Sequence, residues 1–393
     1  MQKMSFFNWW NCALCSGVLL GVTVFVYAQE RIGWGAASVV LAAVMAASLA
    51  VFLAGWRFYR YRVPEGSPLT PLLQVIVAAV RKRRLQLPAD ATKLYEVRTQ
   101  NAIKKRWLYH TDQLRFLDKA AIVEHGVGEP ASGPWRLATV TQVEETKLTT
   151  VPIWVATLPF GMAAAQVSTF FIRQGSVMDR HLGPHFVLPP ASIFALSALG
   201  MIITVAVYDK VLVPYLRHAK GGERGISILK RVGIGMAFTI LALVVAAVVE
   251  RRRLDSAAPA SVSVFWLVPQ FVLGVGDGFA LVGLQEYFYD QVPENMRSLG
   301  VGLYLSVIGA GSFLSSLVIT AADCVSSRGG RAGWFAKDLN HSRLDLFYWL
   351  LVFIGVVNMV FYMVVASRYS YKDAVAAGAG DDIECAVSEF VTD

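Results

Sequence analysis

The stretch Trp266–Pro293, WLVPQFVLGVGDGFALVGLQEYFYDQVP, is a long apolar run with one acid, Asp277, near its middle. A membrane-spanning helix needs about 20 predominantly apolar residues. Asp277 lies about a dozen residues inside the run, roughly 18 Å along a helix axis and therefore near the middle of a bilayer. A charge at that depth costs about 3 kcal/mol on insertion scales. Asp277 is predicted to line a polar pathway; the alternative is an acid satisfied by neighbouring helices, without a role in transport.

The composition indicates an all-α, polytopic membrane protein. The chain has 393 residues, of which 55% are hydrophobic and 16% are charged, whereas a soluble domain carries about 25% charged residues. Much of the formal net charge of +8 lies in one loop, where an excess of lysine and arginine marks the cytoplasmic side of a membrane. The lipid bilayer is therefore an expected partner, and nucleic acid is not.

Apolar runs of sufficient length predict eight membrane-spanning helices. They are Phe7–Tyr27, Ala36–Phe58, Leu148–Phe171, Pro189–Tyr208, Ile228–Val249, Val264–Leu284, Leu299–Ile319 and Leu344–Val365. The basic loop Arg57–Lys147 places the N-terminus on the cytoplasmic side, although Arg251-Arg252-Arg253 would then face outward.

The long loop contains two predicted short helices. Pro71–Leu87 predicts an amphipathic helix with a basic end, which lies either along the membrane surface or in a solvated linker. Leu114–Val123 predicts the second.

Several polar residues fall inside the predicted spans. Gln166, Thr169 and Arg173 are spaced i, i+3 and i+7 in and just beyond the third span, which predicts one polar helix face lining a cavity or bonding another helix. Tyr304 in the seventh span is grouped with Asp277, Gln166 and Thr169 as a candidate for substrate or proton binding.

Glu286, near the cytoplasmic end of the sixth span, is predicted to be a gate or salt bridge, with simple solvation as the alternative. Arg173 is placed in the same gate or salt-bridge group.

Catalytic and metal-binding patterns are not recognised in the sequence. The six histidines show no metal-ligand spacing, and no P-loop, H-E-x-x-H motif or Ser/His/Asp constellation occurs. We therefore expect no metal, no cofactor and no enzymatic activity.

Several segments together are similar to one known family. They are Phe6-Phe7-Asn8-Trp9-Trp10, Phe58-Tyr59-Arg60-Tyr61, Gly66-Ser67-Pro68-Leu69, Leu114–Ile122, Gln166–Gln174, Met178-Asp179-Arg180, Val268-Pro269-Gln270, Gln285–Pro293, Met296-Arg297-Ser298, and Trp334 with Asp338-Leu339-Asn340 and Leu344-Asp345. In these segments the chain resembles the plant nitrate/peptide transporter (NRT1/PTR) family, proton-coupled members of the major facilitator superfamily.

The resemblance implies a fold of twelve helices in two bundles, which bind substrate near the midplane and rock around it. The eight predicted spans would then be helices five to twelve. The first four helices, with the family's E-x-x-E-R signature and a lysine on the fourth helix, do not occur in this sequence. Asp277 matches the position where many relatives have a glutamate that binds a substrate amine or pairs with that lysine. Ala164 stands where a nitrate-binding relative has histidine, and Cys15 where peptide transporters have asparagine.

With this resemblance, four regions are expected. Residues 1–58 would hold the last two helices of the N-terminal bundle, and 59–147 a cytoplasmic basic linker with amphipathic helices. Residues 148–366 would form the six-helix C-terminal bundle, and 367–393 a disordered cytoplasmic tail.

The leading hypothesis is a transmembrane proton-coupled symporter of nitrate, peptides or other small solutes, in the plasma or vacuolar membrane. Its expected partners are a small-molecule or anion substrate, protons and lipid. An N-terminal truncation is expected to leave the carrier incomplete. The alternative is a non-transporting truncated membrane protein that is unstable or associates with full-length relatives.

Overall fold

The computed structural model is helical throughout most of the residues it describes. These are 2–59, 69–88, 94–95, 115–123, 135–140, 142–143, 151–181, 187–220, 226–256, 263, 269–291, 297–328, 333–336 and 339–367. Within these ranges the only β-pairing consists of two isolated bridges, Asp179 with Ser263 and His181 with Val187. The all-α prediction is confirmed. Most of the predicted linker and residues 368–393 of the predicted tail lie outside the described residues.

Thirteen α-helices occur in the described ranges. They are α1 (Gln2–Leu20), α2 (Val26–Ile32), α3 (Trp34–Ala54), α4 (Leu69–Arg81), α5 (Arg115–Asp118), α6 (Val151–Ala164), α7 (Phe170–Ser176), α8 (Phe194–Val207), α9 (Val213–Lys220), α10 (Ile228–Leu254), α11 (Pro269–Gln291), α12 (Arg297–Ser326) and α13 (Leu344–Ser367). One π-helical turn, Gly21–Phe25, continues α1 into α2, and another, Tyr208–Leu212, continues α8 into α9.

Six of the eight predicted spans coincide with helical segments long and apolar enough to cross a membrane. Among the described residues these segments are Phe6–Ile32, Trp34–Phe58, Pro190–Leu216, Ile228–Leu254, Gly300–Ser326 and Leu344–Ser367. The predicted sixth span, Val264–Leu284, is represented by α11, a continuous helix of 23 residues. Its more polar sequence includes Asp277, Gln285, Glu286 and Asp290.

The predicted third span, Leu148–Phe171, is not one continuous helix. α6 ends at Ala164, and α7 begins at Phe170 after a turn. At this end the Gln166 amide nitrogen Nε2 donates to the Met162 carbonyl at 2.9 Å, while the Gln166 backbone N–H bonds the Ala163 carbonyl instead. The Gln166 side chain thus bonds the Met162 carbonyl, which would accept the Gln166 backbone N–H if the α-helix continued. α6 ends at this point.

The chain divides into two compact units. The first comprises Met1–Arg62, Val155–Tyr287 and Tyr304–Ala366, and the second comprises Val63–Trp154, Phe288–Leu303 and Ser367–Asp393. The four-region division 1–58, 59–147, 148–366 and 367–393 stays a prediction.

In the first unit, glycines let α11 approach α8 and α10 closely. A Cβ atom on Gly274 would meet the Ser197 backbone of α8, with the Ser197 carbonyl carbon at 2.8 Å. On the other side of α11, a Cβ atom on Gly276 would meet the Thr239 hydroxyl of α10 at 2.7 Å. Small residues allow such backbone contact between membrane helices. Asp277 is therefore carried by a helix held tightly between two neighbours.

Replacing Gly274 by alanine is expected to destabilise the chain by about 1–3 kcal/mol, because the added methyl group has no space and overpacking has a cost of that order. The measurement is the melting temperature of the purified chain in detergent. Gly309→Ala is the matched control, since a Cβ atom there meets nothing within 4 Å. Equal melting temperatures for Gly274→Ala and the wild type would contradict the close contact between α8 and α11.

The second unit has a small core of its own around α4. Val75, Ala78 and Ala79 of α4 are fully buried and pack with Ala120 and Ala121. The Lys82 ammonium donates to the Ile122 carbonyl at 2.6 Å and to the Ala120 carbonyl at 3.3 Å. These bonds fix the end of α4 to the segment that follows α5, which lies within the predicted helix Leu114–Val123.

Candidate functional site

Asp277 lies in the interior of the first unit and is only 8% exposed. Its oxygen Oδ1 has no hydrogen-bond partner among the described residues. The Ser197 hydroxyl is placed to hydrogen-bond the carboxylate, and Cys15 and Tyr304 are electrostatic neighbours of it. We call these four residues the Asp277 site. No ion pair of Asp277 is seen in the described part of the chain.

Four helices build the Asp277 site. Cys15 comes from α1, Ser197 from α8, Asp277 from α11 and Tyr304 from α12. Ser197 reaches Asp277 because Gly274, three residues earlier on α11, allows α8 to come into contact. One turn further along α8, the Met201 sulfur lies 3.2 Å from the Cys15 sulfur and holds α1 beside the site.

The chemistry available here is that of a carboxylate shielded from water with hydroxyl and thiol neighbours. An ionised carboxylate without a cationic partner is unfavourable in an apolar interior. Binding of a proton or of a cationic group relieves that cost. The Asp277 site can therefore take up one positive charge.

A second polar group surrounds Arg231 of α10. It includes Glu286, which lies further along α11 than Asp277. The buried Arg231 guanidinium contacts Glu286 Oε2 at 3.5 Å, donates to Asn8 Oδ1 at 3.2 Å, and stacks on the Tyr208 ring at 3.9 Å from its centroid. The Asn8 amide in turn donates to Asp209 Oδ1 at 3.0 Å. We call these five residues the arginine cluster. It extends along α11 from the Gly278 carbonyl, which directly follows Asp277 and accepts from the Arg231 guanidinium at 3.4 Å, to Glu286, roughly 12 Å further on at 1.5 Å per residue.

The arginine cluster attaches α1 to the later helices. Asn8 bonds Arg231 of α10, and Asn11 donates from Nδ2 to Gln285 Oε1 of α11 at 2.6 Å. Both asparagines are almost completely buried. Glu286 thus has the ion-pair partner that a salt-bridge role requires, while its action as a gate stays a prediction.

The predicted single polar face of Gln166, Thr169 and Arg173 is not formed, because α6 ends at Ala164, before all three residues. The alternative, a bond to another helix, is met by Gln166 alone. Gln166 is buried and donates to the Ser315 hydroxyl of α12 at 2.9 Å. Thr169 is exposed, and its hydroxyl donates to the Ala165 carbonyl at 2.9 Å. Arg173 is exposed on α7. Gln166 and Thr169 therefore do not face one cavity, and of the predicted binding residues only Tyr304 is brought to Asp277.

Sequence reasoning missed a third group, at the far end of α10. Glu250 and Arg253 are fully buried, with the Arg253 Nε 2.9 Å from Glu250 Oε2 and one terminal guanidinium nitrogen 2.7 Å from Oε1. Gln174 Nε2 donates to Glu250 Oε2 at 2.6 Å, and the other terminal nitrogen of Arg253 donates to Asn340 Oδ1 at 2.5 Å. We call Glu250, Arg253, Gln174 and Asn340 the Glu250–Arg253 cluster.

This cluster accounts for one arginine, Arg253, of the triplet that conflicted with the predicted topology, whereas Arg251 and Arg252 are exposed. Arg253 is an internal partner of Glu250, so it does not act as a free surface charge. Arg231 and Arg253 are 22 residues apart, or about 33 Å along α10, close to the thickness of the hydrocarbon core. Two signals in the sequence could have indicated these clusters. Arg231 lies three residues inside the predicted span Ile228–Val249, and Glu250 and Arg253 follow that span at a spacing of i, i+3.

A polar cavity of about 270 Å³ lies beside this end of α10. Arg251, Arg343 and His341 line it together with Asp255 and Asp345. The Asp345 carboxylate, 3.1 Å from the Arg343 Nε, raises the pKa of Arg343. Two acids thus balance the two arginines, and the cavity shows no net preference for an anion or a cation. In the described ranges no group of three His, Cys, Asp or Glu side chains is arranged to hold a metal ion.

Comparison with known protein families gives the family of this chain. The family model described as POT family (PTR2) matches residues 1–335. The chain belongs to the POT family. Protein NRT1/PTR FAMILY 5.7 of Arabidopsis thaliana is 53% identical over 403 residues, which cover 98% of this chain and 67% of that relative. Protein NRT1/PTR FAMILY 5.6 of the same plant is 53% identical over 377 residues, which cover 94% of this chain and 65% of the relative. This POT-family chain therefore spans about two thirds of the length of these curated relatives.

The fold agrees with that assignment. The crystal structure of the POT family transporter PepTSo superposes with a TM-score of 0.60 at 16% identity, covering 91% of this chain and 70% of that one. At this identity the likeness concerns the fold. This POT-family chain is an integral, multi-pass, all-α membrane protein.

Proposed function

We propose that this chain acts in proton-coupled transport of a small solute across a membrane, as a symporter of nitrate, peptides or related compounds. One observation carries the proposal: a buried carboxylate, Asp277, lies in a four-helix site without an ion pair in the described part of the chain. Membership of the POT family and the likeness to a POT family transporter support it. An acid inside a membrane domain is a functional residue by default.

In this proposal Asp277 takes up the positive charge that drives the cycle. A proton, or a cationic group of the substrate, enters the Asp277 site and neutralises the carboxylate. The Ser197 hydroxyl orients the carboxylate, and Tyr304 and Cys15 form the walls. Neutralisation lowers the cost of enclosing the site in an apolar surrounding, so closure follows binding.

The arginine cluster is proposed to close one end of the pathway. Transporters of this architecture rock one half against the other around a central site. Such motion requires α1 to separate from α10 and α11, and that separation must break the bonds of Asn8 to Arg231 and of Asn11 to Gln285. Glu286 then sets the strength of the closed state through its contact with Arg231. In this proposal Gln166, Thr169 and Arg173 do not bind the proton or substrate at the Asp277 site.

We further propose the four-region organisation for this chain, with 1–58 and 148–366 as membrane parts, 59–147 as the cytoplasmic linker and 367–393 as the tail. The small-molecule or anion substrate and protons are its proposed partners, and the plasma and vacuolar membranes its proposed locations.

The test of transport is uptake by oocytes that express the chain alone. Radiolabelled nitrate and a dipeptide are offered at acidic and at neutral external pH. We expect uptake of one of them above water-injected controls, and larger at acidic pH because an inward proton gradient then adds to the driving force. Uptake at background level from a chain that reaches the cell surface would overturn the proposal that it transports alone. Uptake restored only by co-expression of a full-length relative would favour the associating, non-transporting alternative.

A further inference from the structure

The helix α4 carries apolar side chains on two different faces. One face, Val75, Ala78 and Ala79, is buried in the core of the second unit. The other face consists of Leu73, Ile76 and Val80, which are 49%, 44% and 48% exposed. Their spacing of i, i+3 and i+7 places them in one stripe along the helix. We call Leu73, Ile76 and Val80 the outer stripe. It is apolar surface that the described part of the chain leaves uncovered.

Basic side chains follow at the end of the outer stripe. Arg81, Arg83 and Arg84 are exposed and make no ion pair within the described residues. Lys82 differs from them, because it is buried and its ammonium is bonded to the Ala120 and Ile122 carbonyls. Lys119 donates to the Arg83 carbonyl at 2.8 Å, which further fixes this end of the helix. The three arginines are thus presented from a fixed backbone, directly beyond an exposed apolar stripe.

A stripe of this kind fits one partner, the surface of an anionic membrane. An amphipathic helix with aliphatic residues on one face and arginines nearby lies in the interface, where apolar side chains enter the acyl boundary and basic ones contact the phosphates. The chain itself brings the helix near a bilayer. The membrane-spanning segment Trp34–Phe58 ends only eleven residues before Leu69, and this length of chain reaches at most about 40 Å when fully extended.

We propose that the outer stripe of α4, together with Arg81, Arg83 and Arg84, is a docking surface for an anionic lipid leaflet. Each arginine near such a surface increases the partition of the helix roughly fivefold at physiological salt. Docking then depends on both lipid charge and ionic strength. The buried face of α4 packs in the small core of the second unit, so docking of the outer stripe also holds that core at the leaflet.

The experiment places the full-length chain in nanodiscs of phosphatidylcholine, with or without phosphatidylserine. A polarity-sensitive dye is attached to Ile76→Cys in a chain whose four native cysteines are replaced by alanine. We expect a blue shift of the dye emission only with phosphatidylserine, reversed by high salt. The triple variant Arg81→Gln/Arg83→Gln/Arg84→Gln should lose the shift. Arg136→Gln, an exposed arginine of the same unit outside α4, should keep it.

A second measurement uses the unmodified chain, so that misfolding of the labelled variant does not decide the result. Trypsin cleaves after exposed arginines, and cleavage after Arg81, Arg83 and Arg84 should slow several-fold in phosphatidylserine nanodiscs, while cleavage after Arg136 should not. Equal dye emission and cleavage in both lipids would overturn the proposal. A shift that appears only after a soluble cytosolic extract is added would overturn it in favour of a protein partner.

Discussion

Replacing Asp277 by asparagine is expected to abolish proton-dependent uptake while leaving the fold intact. Asparagine has the shape of the aspartate and can still bond the Ser197 hydroxyl, but it takes up no proton. We expect uptake at acidic external pH to fall roughly a hundredfold, the scale on which loss of a positioned proton-transfer group acts. The measurement is initial uptake in oocytes, normalised to the amount of protein at the cell surface.

Two further variants separate the charge at position 277 from other effects. Asp277→Glu keeps the acid with one more methylene group, and it should keep the pH dependence while changing the apparent affinity for substrate. Asp255→Asn removes a carboxylate that is largely exposed and pairs with Arg251 at 3.6 Å, and it should have no effect, because exposed ion pairs contribute little. Robust uptake by Asp277→Asn, equal to that of the wild type, would remove Asp277 from the mechanism.

Removing Glu250 is expected to cause a large loss of stability. Glu250→Ala leaves the fully buried Arg253 guanidinium without its carboxylate partner. Breaking one side of a buried ion pair costs about 3–5 kcal/mol, because the remaining charge is left uncompensated. The measurement is the melting temperature of the purified chain in detergent, together with the yield of monodisperse protein.

The double variant Glu250→Leu/Arg253→Met tests the physical cause. If the unpaired charge is responsible, removing both charges should restore most of the stability, since apolar replacements of buried pairs are often neutral or stabilising. Arg251→Gln is the matched control on the same helix, because Arg251 is exposed and its contacts with Asp255 and Asp345 are 3.6 and 4.0 Å long. A Glu250→Ala variant as stable as the wild type would contradict the burial of this pair.

Most of the fold could be predicted from the sequence because the lipid environment constrains it strongly. Runs such as Ile228–Val249 and Leu344–Val365 are too apolar for water and long enough to span, and backbone groups in lipid must be satisfied within the helix. These two runs correspond to α10 and α13 of the structure, with differences of a few residues. The prediction failed at Leu148–Phe171, where hydropathy stays high across the end of α6. A buried side-chain bond from Gln166 ends that helix, and hydropathy does not report such a bond.

The candidate site was predicted only in part. Asp277 was predicted to be functional because it is a single acid inside a long apolar run, where a charge is costly. Arg231 lies at the start of the predicted span Ile228–Val249, where basic residues ordinarily mark the cytoplasmic side, yet it is buried beside Glu286, Asn8 and Tyr208. A count of positive charges does not distinguish a solvated arginine from one with internal partners. Thr169 and Arg173 were predicted from a helical spacing that starts at Gln166, and this spacing does not apply because α6 has already ended at Ala164.

The sequence by itself determined that this is an all-α membrane protein, where its helices run, and that Asp277 lies deep within one of them. These properties depend on local composition and length, because the bilayer acts as a uniform solvent for each segment. Tertiary structure alone decided which polar groups meet. Asn8 and Arg231 are 223 residues apart, and Gln174 and Glu250 are 76 apart. Such pairs form only when the helices that carry them pack side by side, and that packing depends on the fold of the whole unit.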